Sequence, residues 1–288
     1  MKIRIGHSPD PDDAFMWYPL AKAGTTGHVA GPRVDCGPFD FEHVLEDIQT
    51  LNERSERGEL EVTALSIHQV PYVADRYVLT SCGASMGDGY GPMVVCRAGR
   101  GLGVQNLKDV NIAVPGHRTS AFMALSLLLE QRVPHFEVVP FDRIIEAVRA
   151  GEYEAGLIIH EGQLTYEKAG LECVVDLGRW WKMSTGLPLP LGGNAIRRDL
   201  GELARPLCAV LLRSIRYALD HRDESIAYAL AYARDMGADL ADRFVGMYVN
   251  HWTIDYGEDG RRAIARFLGD GAKAGLVPDV GEIDFVEP

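Results

Sequence analysis

The sequence predicts an α/β protein of two lobes joined by a hinge of two crossover strands. Short apolar runs alternate with helical patterns from the first residues onward, which is typical of βαβ units and a mostly parallel sheet. Two stretches without helical character, residues 91–97 and 190–197, bracket a segment with two complete βα units. A segment inserted between two crossovers is the plan of a hinged binding protein with a cleft between its lobes.

The predicted lobes divide the chain discontinuously. Residues 1–95 together with 195–288 form lobe 1, and residues 96–194 form lobe 2. The 288 residues are 47% hydrophobic and 24% charged, which is ordinary globular composition. This length is close to the size at which a single core splits into two.

Four strand-to-helix junctions share one form, in which a polar loop follows an apolar strand. The predicted strands span residues 3–5, 60–65, 111–114 and 155–159. Helices are predicted over residues 14–23, 67–74, 121–129, 207–218, 225–234 and 261–268. Apolar residues repeat at helical spacing in these segments, and carboxylates precede the first of them as capping residues.

The acidic balance of the chain argues against nucleic acid and membrane surfaces as partners. Lys and Arg number 29 against 41 Asp and Glu, which gives a net charge of −12. No apolar run approaches the roughly 18 residues of a membrane span, and no secretory signal precedes the first strand. The sequence therefore predicts a cytoplasmic protein in which local groups hold any anionic ligand.

Cysteine usage and motif content argue against metals and cofactors. The cysteines are Cys36, Cys82, Cys96, Cys173 and Cys208. They form no CxxC pair, which argues against zinc and against a disulfide framework. Asp10, Asp12 and Asp13 offer oxygen ligands, but the interleaved prolines and the following helix favour capping. GxSxG, Walker A and HExxH motifs are also absent, so we expect no cofactor and no metal.

Hydroxyl side chains stand where the predicted strands end, at Ser8, Ser66, Thr119 and Ser120. Ligands of open α/β sheets bind at this edge, where helix N-termini present N–H groups and a partial positive charge. For one such residue alone, helix capping is the simpler interpretation. Together they favour binding of a small anionic substrate that bears a carboxylate.

His160 is the candidate general base. It follows an apolar strand that anchors its backbone, and Glu161 is its neighbour. Histidine titrates near neutrality and suits proton abstraction. A core histidine with an internal hydrogen bond is the alternative, but the strand-end position favours a catalytic role. His7 and His68 also lie near strand ends and are weaker candidates.

Several strings in the sequence carry a family resemblance, among them VLEDIQTLN, AVPGHRTSAF, AGLIIHEG and TGLPLPLGGNAIRRDLG. They resemble the 1,4-dihydroxy-6-naphthoate synthase family of the futalosine pathway of menaquinone biosynthesis, over nearly the whole chain. The resemblance implies a type II periplasmic-binding-protein-like fold that serves as a cytoplasmic lyase. The implied reaction converts cyclic dehypoxanthine futalosine to 1,4-dihydroxy-6-naphthoate and dihydroxyacetone.

The resemblance also assigns site residues. It places the proton acceptor at His160. It places substrate contacts at Ala64, Leu65, Ser66, Thr119, Ser120 and Ala121. The family typically reads SPCPNDTF where this chain reads SPDPDDAF, beginning at Ser8, and some members have Lys at the position of Ala64. Both departures make the predicted cleft more negative.

Two other functions remain open at the level of sequence. A solute-binding protein for a small carboxylate uses the same two-lobed fold, so fold alone does not decide. The chorismate dehydratase of the same pathway is similar in fold and also cytoplasmic. The position of His160 and the missing export signal favour an enzyme, and the His-Glu-Gly string favours the naphthoate synthase. The sequence does not determine the oligomeric state.

Overall fold

The computed structural model describes residues 1–22, 31–231 and 237–288. Within these ranges the chain forms two β-sheets, with α-helices and short 3₁₀ helices around them. The strands are Lys2–His7 (β1), Asp40–Leu45 (β2), Val62–Ser66 (β3), Tyr77–Thr80 (β4), Ser85–Gly87 (β5), Met93–Arg97 (β6), Ile112–Val114 (β7), Phe136–Val138 (β8), Ala155–Ile158 (β9), Leu171–Asp176 (β10), Leu189–Arg197 (β11) and Phe285–Val286 (β12).

The helices differ widely in length. They are Pro11–Trp17 (α1), Ile48–Ser55 (α2), Val70–Val73 (α3), Ser120–Leu128 (α4), Ile144–Ala150 (α5), Leu177–Thr185 (α6), Ala204–Asp220 (α7), Arg222–Ala229 (α8), Ala238–Tyr248 (α9), His251–Ile254 (α10) and Gly257–Lys273 (α11). Among the described residues, no helix is long and apolar enough to cross a membrane.

The chain divides into two compact units. The first contains Met1–Ser85, Gly192–Glu258 and Val280–Pro288, and the second contains Met86–Leu191 and Asp259–Asp279. The predicted lobe limits differ from these units at residues 86–95, 192–194 and 259–279. Pairing of β6 with β9 and β10 explains the first difference, because it fixes the start of the inserted segment in the second sheet. The hinge of two crossover strands stays a prediction.

The first sheet has the strand order β12-β4-β11-β3-β1-β2, with β5 beside β11. β1 is parallel to both β2 and β3, so the carboxyl ends of these three strands lie at one edge. The core beside this sheet includes Phe15 and Trp17 of α1 and Leu207 and Leu211 of α7. The buried positions of α7 repeat every three or four residues, as the sequence predicts.

The second sheet has the strand order β10-β6-β9-β7-β8. β7 is parallel to β8 and β9, whereas β6 is antiparallel to β9 and β10. Helix α5 packs closely on β9 at Gly156. A Cβ there would lie 2.6 Å from Ile144 and 2.8 Å from Val148, so only glycine permits this approach.

The four predicted strands are confirmed within β1, β3, β7 and β9. The first predicted helix, over residues 14–23, is partly wrong. It begins at Pro11, and its α-helical part ends at Trp17, because Pro19 lacks the N–H that would continue the ladder; Tyr18–Leu20 form a 3₁₀ turn. Residue 23 and residues 232–234 of the predicted helices lie outside the described ranges.

Candidate active site

Two predicted site loops lie at one edge of the second sheet. β7 and β9 are parallel neighbours, with Ala113 beside Gly156. Thr119 follows β7 at the N-terminus of α4, and His160 follows β9. Because parallel strands end at the same edge, the base candidate and a helix N-terminus belong to one part of this unit.

The imidazole of His160 is buried, with 6% of the residue exposed, and both ring nitrogens have backbone partners. The N–H of Gly162 donates to Nδ1 at 2.9 Å. Nε2 lies 2.9 Å from the carbonyl oxygen of Phe141. Since an amide N–H only donates and a carbonyl only accepts, Nε2 carries the hydrogen and Nδ1 carries the lone pair. The basic nitrogen of this ring is therefore Nδ1.

The residues next to His160 hold the ring in place. Oε2 of the buried Glu161 lies 3.7 Å from Nδ1 of His160. The rings of His160 and Phe141 meet edge to face at 5.5 Å between centroids. A Cβ on Gly162 would lie 2.6 Å from Cε1 of His160 and closer still to Ile145. A glycine is therefore required here by close approach to the ring and not by its φ angle.

Thr119, Ser120 and Ala121 are all buried at the start of α4. Thr119 is the N-cap: its hydroxyl accepts from the N–H of Phe122 at 3.2 Å and donates to the carbonyl of Gly116 at 2.8 Å. The hydroxyl of Ser120 donates to the carbonyl of Leu191 at 2.5 Å. The capping interpretation is thus correct for Thr119, and this cap already occupies the N–H of Phe122 in the first turn of α4.

The remaining predicted contacts lie in the first unit, at the edge where β1 and β3 end. Ser8 follows β1, and Ser66 is the last residue of β3. Ala64 and Ser66 share one face of β3, whereas Leu65 points to the opposite face and is buried. Leu65 therefore offers only backbone groups to a ligand. That the first-unit and second-unit residues serve one ligand stays a prediction.

Ser66 is held by a residue that the sequence analysis missed. The N–H of Ser66 donates to Oδ1 of Asn52 at 2.9 Å. Nδ2 of Asn52 donates to the hydroxyl of Ser66 at 3.0 Å. Asn52 is a fully buried polar residue within VLEDIQTLN, and Gln49 and Ser55 are buried on the same helix, so no hydrophobic spacing in the sequence indicated it.

The acidic loop after β1 does not cap α1 as predicted. Asp10 occupies the N-cap position but makes no side-chain capping bond, because its carboxylate accepts from the hydroxyl of Ser8 at 2.7 Å. Asp13 accepts from the N–H of Ser8 at 2.7 Å. No group of side chains in the described residues is arranged to hold a metal ion.

Burial raises the pKa values of two carboxyl groups in this loop. It raises the pKa of Asp13 to about 7; the charge of Asp10 adds to this effect and the hydrogen bond from Ser8 opposes it. Burial and the charges of Asp13 and Asp10 raise the pKa of Asp12 well above its usual range. The loop therefore carries less negative charge at neutral pH than three exposed aspartates would.

His7 is unsuited to act as the base. Burial, with a contribution from His43, lowers the pKa of His7 to about 3, and burial lowers that of His43 to about 4. Nδ1 of His7 donates to the carbonyl of Ser8 at 2.9 Å, so its Nε2 accepts from Nδ1 of His43 at 2.9 Å. His68 is also buried, in the turn after β3.

The two-sheet architecture is that of periplasmic binding proteins. A Candida albicans protein described as exhibiting the generic periplasmic binding protein structural fold matches with a TM-score of 0.70 at 12% identity, over 98% of this chain and 92% of that chain. A crystal structure of an Archaeoglobus fulgidus protein matches with a TM-score of 0.85 at 44% identity, over 96% of this chain and 98% of that chain. The predicted fold class is confirmed.

Sequence comparison identifies the family. The model described as menaquinone biosynthesis matches residues 3–273. A Thermus thermophilus protein named 1,4-dihydroxy-6-naphtoate synthase is 43% identical over 275 residues, which are 95% of each chain. A Streptomyces coelicolor protein of the same name is 38% identical over 285 residues, 97% of this chain and 96% of that one. The chain belongs to the menaquinone biosynthesis family, and the suspected relationship is confirmed.

Proposed function

We propose that the protein is a carbon–carbon lyase that converts cyclic dehypoxanthine futalosine to 1,4-dihydroxy-6-naphthoate and dihydroxyacetone. Its family and the shared name of two relatives support this reaction. The observation that carries the proposal is the buried imidazole of His160, which follows β9 at the sheet edge where α4 begins. One base near a helix N-terminus suits proton abstraction from an anionic substrate.

In the proposed reaction, Nδ1 of His160 accepts a proton from the cyclic substrate. A carbon–carbon bond then breaks and the product ring becomes aromatic, which supplies most of the driving force. The proton passes from His160 to the departing three-carbon fragment, which leaves as dihydroxyacetone, and the base is regenerated. The N–H of Gly162 occupies the Nδ1 lone pair in the structure, so the substrate displaces that hydrogen bond at a cost of about 1 kcal/mol. The protein otherwise orients the substrate and excludes water.

The proposed substrate is an anion that bears a carboxylate. The amide of Ala121 lies in the first turn of α4, where backbone donors have no partner within the helix. The helix dipole adds a partial positive charge at this end. With a net charge of −12 the chain supplies no general attraction for anions, so these local donors carry the binding.

We also propose that the reaction takes place in the cytoplasm. All five cysteines are free thiols, and three of them are buried: Cys82, Cys96 and Cys208. Unpaired cysteines are typical of proteins in reducing compartments. A cytoplasmic site also gives a biosynthetic enzyme direct access to a metabolic substrate.

Incubation of the purified protein with cyclic dehypoxanthine futalosine tests the proposal. We expect chromatography with mass detection to show the naphthoate and dihydroxyacetone in equal amounts. The His160→Asn variant is the matched control and should form little of either. Conversion of chorismate without formation of the naphthoate would contradict the proposal and favour the dehydratase. Binding of the substrate without conversion would favour a solute-binding protein.

A further inference from the structure

We propose that Asn52 is a positioning residue that makes the hydroxyl of Ser66 a dedicated hydrogen-bond donor to an acceptor oxygen of the substrate. The inference rests on the proposed function, because Ser66 is one of its substrate contacts. It assigns to α2 a role in selecting the ligand. It also states which kind of ligand atom the end of β3 recognises.

The orientation of the Asn52 amide follows from its partners. Asn52 is fully buried in α2, and Ser66 at the end of β3 is 3% exposed. The backbone N–H of Ser66 lies 2.9 Å from one amide atom of Asn52, which must be the oxygen because an N–H only donates. The NH₂ group therefore faces the hydroxyl of Ser66, at 3.0 Å.

This contact fixes the polarity of the Ser66 hydroxyl. Its oxygen accepts from Asn52, so its own hydrogen remains to be donated. No side chain or carbonyl within residues 1–22, 31–231 and 237–288 accepts that hydrogen. A buried donor without an acceptor is unfavourable, and a carboxylate or carbonyl oxygen of the substrate relieves this cost. Ser66 is thereby suited to acceptor atoms and not to amines.

Asn52 is itself held rigidly, which a positioning role requires. Its main-chain carbonyl oxygen accepts from the hydroxyl of Ser55 at 2.5 Å. It also accepts from Nε2 of Gln69 at 3.1 Å. Gln69 lies in the turn directly after Ser66, so α2 and the end of β3 are joined by three hydrogen-bonded residues. These bonds fix the main chain of Asn52, and the two side-chain bonds to Ser66 fix the direction of its amide before the ligand arrives.

Two substitutions at position 52 separate positioning from support of the fold. Asn52→Asp is nearly isosteric and still accepts from the N–H of Ser66, but its second oxygen accepts the Ser66 hydroxyl hydrogen and reverses the polarity. Asn52→Ala leaves the hydroxyl free to rotate toward the substrate. We expect KM for cyclic dehypoxanthine futalosine to rise about tenfold to a hundredfold in Asn52→Asp and less in Asn52→Ala, with kcat within about twofold of wild type.

A purely structural role gives the opposite order, because Asn52→Ala removes both hydrogen bonds and leaves a cavity. If Asn52→Asp retains the wild-type KM, or if Asn52→Ala raises KM more, the positioning role is wrong. Thr50→Val is the matched control, since it removes a hydroxyl of the same helix that contacts Asp47 and not Asn52 or Ser66. It should keep the wild-type KM. Thermal unfolding of each variant verifies that it is folded.

A double-mutant cycle removes the remaining ambiguity, which is the added negative charge of Asn52→Asp. In the Ser66→Ala background, Asn52→Asp should raise KM by less than about twofold beyond Ser66→Ala alone. An undiminished rise would mean that the charge acts on the substrate without Ser66, and would overturn the inference. If wild type forms the naphthoate, these outcomes concern Asn52 alone. If wild type forms none, the proposed function fails first, and the inference with it.

Discussion

His160 and Phe141 are joined by a hydrogen bond of 2.9 Å from the ring Nε2 to the main-chain carbonyl oxygen. This bond, together with the 2.9 Å bond from the N–H of Gly162 to Nδ1, fixes the tautomer of a neutral imidazole. The ring is therefore positioned by main-chain groups of the two loops that follow β8 and β9. Substitutions in either loop should therefore shift the position of the His160 ring while the imidazole itself is retained.

Replacement of His160 should lower the turnover number and leave the protein folded. We expect His160→Asn to lower turnover by about 10² to 10⁴, the usual cost of losing a general base. Its side-chain oxygen is still able to accept from Gly162, because asparagine is among the best N-capping residues, so the loop should stay folded. Steady-state kinetics and thermal unfolding measure the two effects.

The control for this variant is His135→Asn, at an exposed histidine in the same unit. It should leave turnover unchanged. A folded His160→Asn protein with wild-type turnover would remove His160 from the mechanism.

Gly162→Ala tests whether the loop controls the ring. The new Cβ would lie 2.6 Å from Cε1 of His160, so the ring or the loop must shift. We expect a loss of turnover of at least about tenfold, because misplacement of a catalytic group by an ångström costs up to 10²-fold. Steady-state kinetics at saturating substrate measures it.

Gly269→Ala is the comparison for this variant. Gly269 lies in α11 and an added Cβ meets nothing within 4 Å. Alanine should stabilise the helix by about 0.5 to 1 kcal/mol and leave turnover unchanged. Equal turnover in both alanine variants would show that the close approach of Gly162 to the His160 ring does not affect catalysis.

The fold was predictable where hydrophobic spacing alone determines an element. The buried strand β9 and the apolar stripe of α7 are read directly from the sequence. The limits of the two units were not predictable from the sequence, because they depend on which strands pair over long distances in the chain. β6 pairs with β9 and β10, which lie some sixty or more residues further along the chain, and no local sequence pattern predicts these partners.

The positions of the candidate site residues at strand ends and helix starts were predictable, but the partners of their atoms were not. Position after a strand indicated Ser66, Thr119 and His160, and the structure places each of them at a strand end or helix start. Which atoms are free depends on partners distant in sequence. Asn52 orients Ser66, and the carbonyl of Phe141 selects the tautomer of His160.

The acidic loop makes the stability of the protein depend on pH. Burial raises the pKa of Asp13 from 3.8 to about 7, so the folded state holds a proton that the unfolded state releases. The contribution of Asp13 to the free energy of unfolding is fully present below about pH 4 and is lost as the pH rises to 7. Asp13→Asn removes the loss and keeps an acceptor for Ser8. At pH 8 we expect it to be more stable than wild type by about 1 to 3 kcal/mol.

Urea unfolding at pH 5 and pH 8 measures this difference. The gain should shrink as the pH falls toward 4, because Asp13 stays protonated in the folded state and becomes increasingly protonated in the unfolded state. Asp109→Asn, at an exposed position, should change stability by less than about 0.5 kcal/mol at either pH. A pH-independent gain from Asp13→Asn would contradict the raised pKa.

The two buried histidines of the first unit act in the opposite direction. Burial lowers the pKa of His7 from 6.5 to about 3 and that of His43 to about 4, so the unfolded state takes up protons first. Their contribution is present above about pH 6.5 and is lost as the pH falls toward these values. In the Asp13→Asn background, stability should fall between pH 6.5 and 4, and His7→Gln should reduce that slope. The same slope in both proteins would exclude His7 as its source.

The hydroxyl of Thr119 caps α4 by accepting from the N–H of Phe122 at 3.2 Å, and it donates to the carbonyl of Gly116 at 2.8 Å. Thr119→Val keeps the shape of the side chain but removes the hydroxyl, so the N–H of Phe122 loses its partner. We expect the protein to lose about 1 kcal/mol of stability and KM to rise several-fold, because the first-turn amides lose their fixed direction. Thr119→Ser retains the cap and should keep the wild-type KM. Substrate affinity that is unchanged in Thr119→Val, measured beside a lowered melting temperature, would show that this helix N-terminus supports the fold and does not bind the anion.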